Sequence, residues 1–166
     1  MTLRGTLGLL LVLAVLVAYL WLPECERPAG PPLLSAPQED VAQIEWEDGE
    51  TRRVIMRAGD GWTDAAGRPW GSDAVTDLVE ALATLRPLVV IDPEPKDPTK
   101  YGLGPGAPQL RLLDQAGRHL LALEIGSRNP AWTALYARLG GKPEVLLVGG
   151  LLRWELEKVR GAAPQP

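Results

Sequence analysis

The chain has 166 residues, with 17 Lys and Arg, 21 Asp and Glu, and a formal net charge of −4. Beyond residue 22 the balance is 16 basic against 21 acidic, which argues against a nucleic-acid binder and against a polybasic contact with anionic lipid. One cysteine and one histidine exclude an internal disulfide and a Cys/His metal cluster, so no cofactor is expected.

The chain opens on an apolar run, Gly5 to Leu22, without a single charge. As a helix it spans roughly 27 Å, close to the hydrocarbon thickness of a bilayer. Residues 1–23 therefore read as a signal anchor, a transmembrane helix in contact with lipid through residues 5–22. No pair of small residues follows the run, so a cleavage site is missing. Glu24 precedes Cys25, which defeats a lipoprotein signal. Arg4 on one flank, and Tyr19 and Trp21 near the other, predict a single pass with a cytoplasmic N-terminus. The C-terminal domain then lies on the extracytoplasmic side of a bacterial inner membrane. Cys25 falls just beyond the membrane and is a candidate for a disulfide between two anchored chains, against the blander reading of an incidental free thiol.

Residues 24–38 read as a proline-rich linker. With Pro23 they hold five prolines in sixteen positions, a composition that disfavours helix and reaches about 50 Å at most. The domain is expected over residues 39–160, with 161–166 as a disordered tail.

Within the domain, Val41 to Glu47 alternates apolar and polar residues as a half-buried strand does. Asp48-Gly49 turns the chain into a return strand, Thr51 to Arg57, with Val54 and Met56 on one face. Trp62-Thr63 starts a short third strand. Ser72 reads as the N-cap of a helix whose apolar stripe is Val75, Leu78, Val79, Leu82 and Leu85, ended by Pro87. Leu88 to Ile91 is a short apolar strand, and Asp92 to Pro98 a loop. Strands follow at Gln109–Leu113, His119–Ile125, Ala134–Leu139 and Val145–Val148. A closing helix runs from Leu151 to Arg160, with Leu152, Leu156 and Val159 on one face and Gly161 as its stop. The expected class is α+β: an antiparallel meandering sheet with two principal helices, duplicated internally as ββ(β)α-β then ββββα.

Several stretches invite a functional reading. Tyr101 to Pro108 packs three glycines and two prolines behind one aromatic. It lacks the flanking strand, helix and lysine of a phosphate-binding loop, so Tyr101 and Leu103 are expected to plug into the core. Trp62, Trp70, Trp132 and Tyr136 suggest an aromatic platform for a sugar, but in a chain without phenylalanine tryptophan is first of all core filler. His119 and Ser127 make a poor nucleophile pair, with no G-x-S-x-G elbow around the serine. Glu45, Glu47, Asp48 and Glu50 read as a charged strand edge.

The order of these motifs carries a resemblance. It runs from the membrane anchor through the I-x-W strand, Gly61-Trp62, the Ser-Asp helix, and Tyr101-Gly102-Leu103 with Pro108. Leu123 to Gly126, Leu135 to Arg138, and the strand before the final helix complete it. Over residues 40 to 160 the chain resembles the bacterial family catalogued as domain of unknown function 4340. The resemblance implies an anchored envelope protein, with some relatives linked to auxiliary parts of gliding-motility-type ABC transporters. It brings no catalytic residues. The family commonly carries an acidic residue after Tyr-Gly-Leu, where this chain has Gly104. The expectation is a membrane-anchored, non-enzymatic extracytoplasmic module, a protein-interaction accessory of an envelope or transporter complex. The alternative is a periplasmic module binding glycan, peptide or lipid. Contact residues under either reading are Tyr101, Trp132 and Tyr136.

Overall fold

The computed structural model describes residues 12–13, 30–49 and 51–164. Only Val12 and Leu13 of the Gly5–Leu22 run are among them, and Cys25 is not. The proposed transmembrane helix thus lies outside the described residues. Among those residues no helix is long and apolar enough to cross a membrane.

Among the described residues nine strands form one sheet, and every neighbouring pair is antiparallel. In chain order they are β1 (Gln43–Asp48), β2 (Thr51–Ala58), β3 (Gly61–Asp64), β4 (Pro69–Trp70) and β5 (Pro87–Asp92), then β6 (Gln109–Leu113), β7 (His119–Arg128), β8 (Ala134–Leu139) and β9 (Val145–Gly149). Among the same residues α1 (Ser72–Thr84) and α2 (Leu151–Gly161) pack on the sheet and complete the α+β fold. The strand order is β4-β3-β2-β1-β6-β7-β8-β9-β5. Two four-strand meanders, each followed by a helix, thus meet at β1 and β6, and β5 adds to the far side of the second.

The period-2 pattern decides which face is covered. In β1 the inward residues are Ile44 and Trp46, set opposite Leu112 and Leu110 of β6. Leu121, Leu123 and Ile125 of β7, Leu135 and Ala137 of β8, and Leu146 and Val148 of β9 continue the same layer. The apolar stripes of α1 (Val75, Leu78, Val79, Leu82) and α2 (Leu152, Leu156, Val159) close over it. Trp62 and Trp70 sit directly opposite each other on β3 and β4, both buried. Trp70 Nε1 donates to the Val159 carbonyl at 3.1 Å, tying the short outer strand to α2.

Several expectations need correction. β4 has no counterpart in the sequence reading, because two residues led by a proline show no alternation. The buried residue of β2 is Ile55; Val54 and Met56 do share a face, but it is the one the helices leave open. Ser72 is the first residue of α1 and not its cap: Gly71 holds the N-cap position, and Ser72 Oγ donates to the Trp70 carbonyl at 3.4 Å. α1 stops at Thr84, since Leu85 is already extended (ψ 126°) two residues before Pro87. β1 is a central strand, so Glu45 and Glu47 do not line an edge.

The domain also reaches beyond 39–160. Leu33 and Leu34, counted with the linker, are buried in the core, and their amides donate to the Leu85 and Leu82 carbonyls at 2.9 Å each. At the other end Gly161 lies inside α2, Ala162 and Ala163 pack against the core, and the Gly71 amide donates to the Ala162 carbonyl. A proline-rich or small-residue segment docks as well as any other when its few large residues find a groove.

Candidate interaction surfaces

The loop from Asp97 to Pro108 crosses the sheet face opposite the helices. Asp97 caps a 3₁₀ turn, Pro98–Tyr101, by accepting from the Thr99 amide at 3.0 Å, and Gly102 ends the turn in the left-handed region (φ 72°). Leu103 is buried against Gly126 of β7, and the Ser127 hydroxyl donates to the Tyr101 carbonyl at 3.0 Å. The Gly104 amide donates to Glu124, whose other oxygen accepts from Arg138. Leu103 is thus plugged in as expected, but on the open face and apart from the main core. The tyrosine rings of Tyr101 and Tyr136 meet at 5.0 Å between centroids, tilted by 57°. Tyr101 Oη donates to Asp92 at 3.1 Å, and Lys100 reaches the same carboxylate at 3.3 Å. Partial burial opposes ionisation of Asp92, but hydrogen bonds from Tyr101 and Lys100 outweigh it and hold the carboxyl below its ordinary value.

Among the described residues Trp132 makes no ring contact with the tyrosine pair. It sits in the turn between β7 and β8 and is 71% exposed. Its φ of 63° is the one left-handed value among the described non-glycine residues. Asn129 imposes that geometry: its carbonyl accepts from the Trp132 amide, and its side chain accepts from the Thr133 and Ala134 amides. The Arg128 guanidinium lies 4.8 Å from the Trp132 ring centroid. A shallow hollow of about 520 Å³ beside it is lined by Arg128, Asn129, Trp132 and Arg153. Because Trp62 and Trp70 are buried, the proposed four-ring platform does not form.

His119 and Ser127 stand at opposite ends of β7, about 26 Å apart along the strand, too far to share a proton. Among the described residues no His, Cys, Asp and Glu side chains group as metal ligands. The rest of the open face is a lattice of paired charges. Glu45 accepts from Gln43 and pairs with Arg52 at 3.2 Å and Arg111 at 3.8 Å. Glu47 shares Arg111, and Glu124 holds Arg138 through two bonds of 2.6 and 2.8 Å.

The surface the residue-by-residue reading missed is the β5 edge. Leu88, Val89, Val90 and Ile91 are all exposed, Leu88 at 61%. Among the described residues β5 pairs only with β9, and bulges at its two ends leave Val89 and Val90 as its regular centre. Beside it runs a groove of about 620 Å³, lined by Pro31, Pro32, Leu88, Val90, Leu139 and Leu146, with Arg86 and Lys142 on its rim. The opposite edge of the sheet, β4, is two residues long and anchored by a buried tryptophan. Native sheets blunt long edges with charge or cover, and β5 carries neither along its four central residues. The sequence signal was present, a run of four aliphatics with no polar alternate.

Fold and surface together define a two-layer α+β domain in which, among the described residues, one apolar strand edge is left bare. Residues 71–159, more than half of the chain, match the family described as a domain of unknown function (DUF4340), and the chain belongs to that family. Comparison with curated proteins and with solved structures gives no match.

Proposed function

We propose that this protein is a membrane-anchored, non-enzymatic interaction module whose domain works outside the cytoplasm as an accessory of an envelope or transporter complex. The observation that carries this reading is the bare β5 edge with its apolar groove: four contiguous aliphatic residues offered to solvent are a contact surface in waiting. The anchor is the Gly5–Leu22 run, and the proposed orientation is N-terminus in, domain out. With the chain held to the domain from Gly30, whose carbonyl accepts from Arg86 at 2.6 Å, the spacer shrinks to residues 23–29, a reach of about 22 Å. The domain is thus held close to the bilayer, and Gly30 leaves it beside β5. The matching meanders on either side of the β1–β6 seam support descent by internal duplication.

The test is a photocrosslinking residue at position 88 in the full-length protein, in native membranes, with position 118 on the exposed β6–β7 turn as reference. Position 88 should yield a defined adduct identified by mass spectrometry, and position 118 none. Equal yields at both, or no adduct at 88, overturn the reading.

A second reading is favoured by Trp132: a ligand-binding module for a glycan, peptide or lipid. A solvent-facing tryptophan held at positive φ between Arg128 and Arg153 suits an anionic sugar. Quenching of tryptophan fluorescence by anionic oligosaccharides, lost in Trp132→Ala, tests it.

A further inference from the structure

We infer that the β5 edge is occupied by a second copy of this chain, docked about a two-fold axis normal to the sheet. This rests on the edge being the contact surface, and it names the partner. Three observations carry it.

The first is self-complementarity. The exposed residues of β5 are uncharged from Leu88 to Ile91, so two copies of the strand run antiparallel past one another without bringing like charges together. Val89 and Val90, the regular centre of the strand, lie nearest the axis.

The second is where the chain leaves the domain. Leu33 and Leu34 bond to the carbonyls at the end of α1, on the helix-covered side of the sheet, and Gly30 to Pro32 line the groove beside Leu88. An axis normal to the sheet keeps the helices of both copies on one side. Both N-terminal segments then emerge on that side, close to the axis, so that both reach a bilayer lying against it. An axis lying along β5 would instead set the two edge strands parallel and send the segments out from opposite faces of the joined sheet.

The third is the length of the tether. Seven residues, 23–29, separate the apolar run from Gly30. A six-residue edge buries less area than a stable dimer in solution needs, but confining both chains to one membrane at matched height raises their effective concentration. The contact is therefore strong in the membrane and weak once the chains are diluted in detergent.

Cys25 serves as a natural reporter. It precedes Gly30 by five residues, a reach of about 18 Å, which lets the two thiols meet within the span of a short bismaleimide when the chains pair beside the axis. The experiment treats native membranes holding the full-length protein with that reagent and separates the products by denaturing electrophoresis. The parent should give a covalent dimer as its main product. Val90→Lys should reduce it at least tenfold, and so should Val90→Glu. Co-expression of the two charged variants, each under its own tag, should restore a mixed dimer, because residues near the axis face their own counterparts. That rescue also shows that the single variants are folded. Dimer at the parent level in Val90→Lys, or no mixed dimer on co-expression, overturns the second copy as occupant. Should position 88 photocrosslink only to a different protein, the interaction reading stands and the self-association falls; no adduct at 88 removes both.

Discussion

Replacing Gly126 with alanine drives a methyl group into the carbonyl of Tyr101. A Cβ built there lies within 3.0 Å of that oxygen and 3.1–3.2 Å from two side-chain atoms of Leu103. The oxygen belongs to the backbone and cannot rotate away. It also accepts from the Ser127 hydroxyl, in a turn closed by Gly102 N to Thr99 O at 2.9 Å and Leu103 N to Pro98 O at 3.2 Å. Restoring ordinary contact distance requires the loop to lift by roughly 1 Å. Overpacking of this kind costs about 1–3 kcal/mol, and loss of the Ser127 bond adds about 1 kcal/mol. For a domain of this size the sum lowers the melting temperature by roughly 8–16 °C. The assay is thermal unfolding of the full-length protein in detergent, followed by far-ultraviolet circular dichroism. Gly161→Ala is the internal reference: its Cβ meets nothing within 4 Å, and it closes a helix, so it should hold or gain a few tenths of a kcal/mol. If Gly126→Ala melts within about 1 °C of the parent, the loop is not clamped on β7 as described.

Three further outcomes follow from the same geometry. Gly104 has φ 121°, so Gly104→Asp should destabilise by about 1–2 kcal/mol in chemical denaturation even though the nearest atom to its Cβ is 3.6 Å away. Trp132→Gly relieves a left-handed tryptophan and should raise stability by about 1 kcal/mol in the same assay, while abolishing any binding that the exposed ring supports. The turns Asp64–Arg68 and Asp114–Arg118 are built alike, each aspartate accepting from two backbone amides and one guanidinium. Asp64 is lowered despite its desolvation, through bonds from Arg68 and Ala66; Asp114 is lowered first by the Arg118 amide. Carboxyls held below their unfolded value stabilise the fold above that value, and the contribution disappears as the pH falls through the folded one. Unfolding monitored against pH should therefore show an acid limb below about pH 4, and Asp64→Asn with Asp114→Asn should flatten it.

Local pattern and non-local pairing differ in how plainly the chain announces them. Ile44 and Trp46, the stripe from Val75 to Leu82, and the Leu152–Leu156–Val159 face are readable because burial repeats at the period of the element. The placement of β1 against β6 is not, since the two strands lie some sixty residues apart and any apolar strand fits the slot by composition. Leu33 and Leu34 were hidden by the prolines around them, although polyproline geometry leaves side chains free to dock. At the candidate site, the approach of Tyr101 to Tyr136 depends on a loop folding back over Gly126, which sequence spacing does not encode. The exposure of β5 depends on the strand falling last in the sheet. Leu88 to Ile91 reads alike as a buried central strand or a bare edge, and only the sheet order separates them.

On the proposed function the β5 edge is covered when the protein stands in its membrane. Hydrogen exchange at the amides of Val89 and Val90 tests this most directly, comparing full-length protein in native membranes with the same protein diluted as monomers in detergent. Exchange should be slowed at least tenfold in the membrane at the one of these two amides that points away from β9, with the amides of the β6–β7 turn unchanged. Equal rates in both preparations contradict the claim that the edge is an interaction surface.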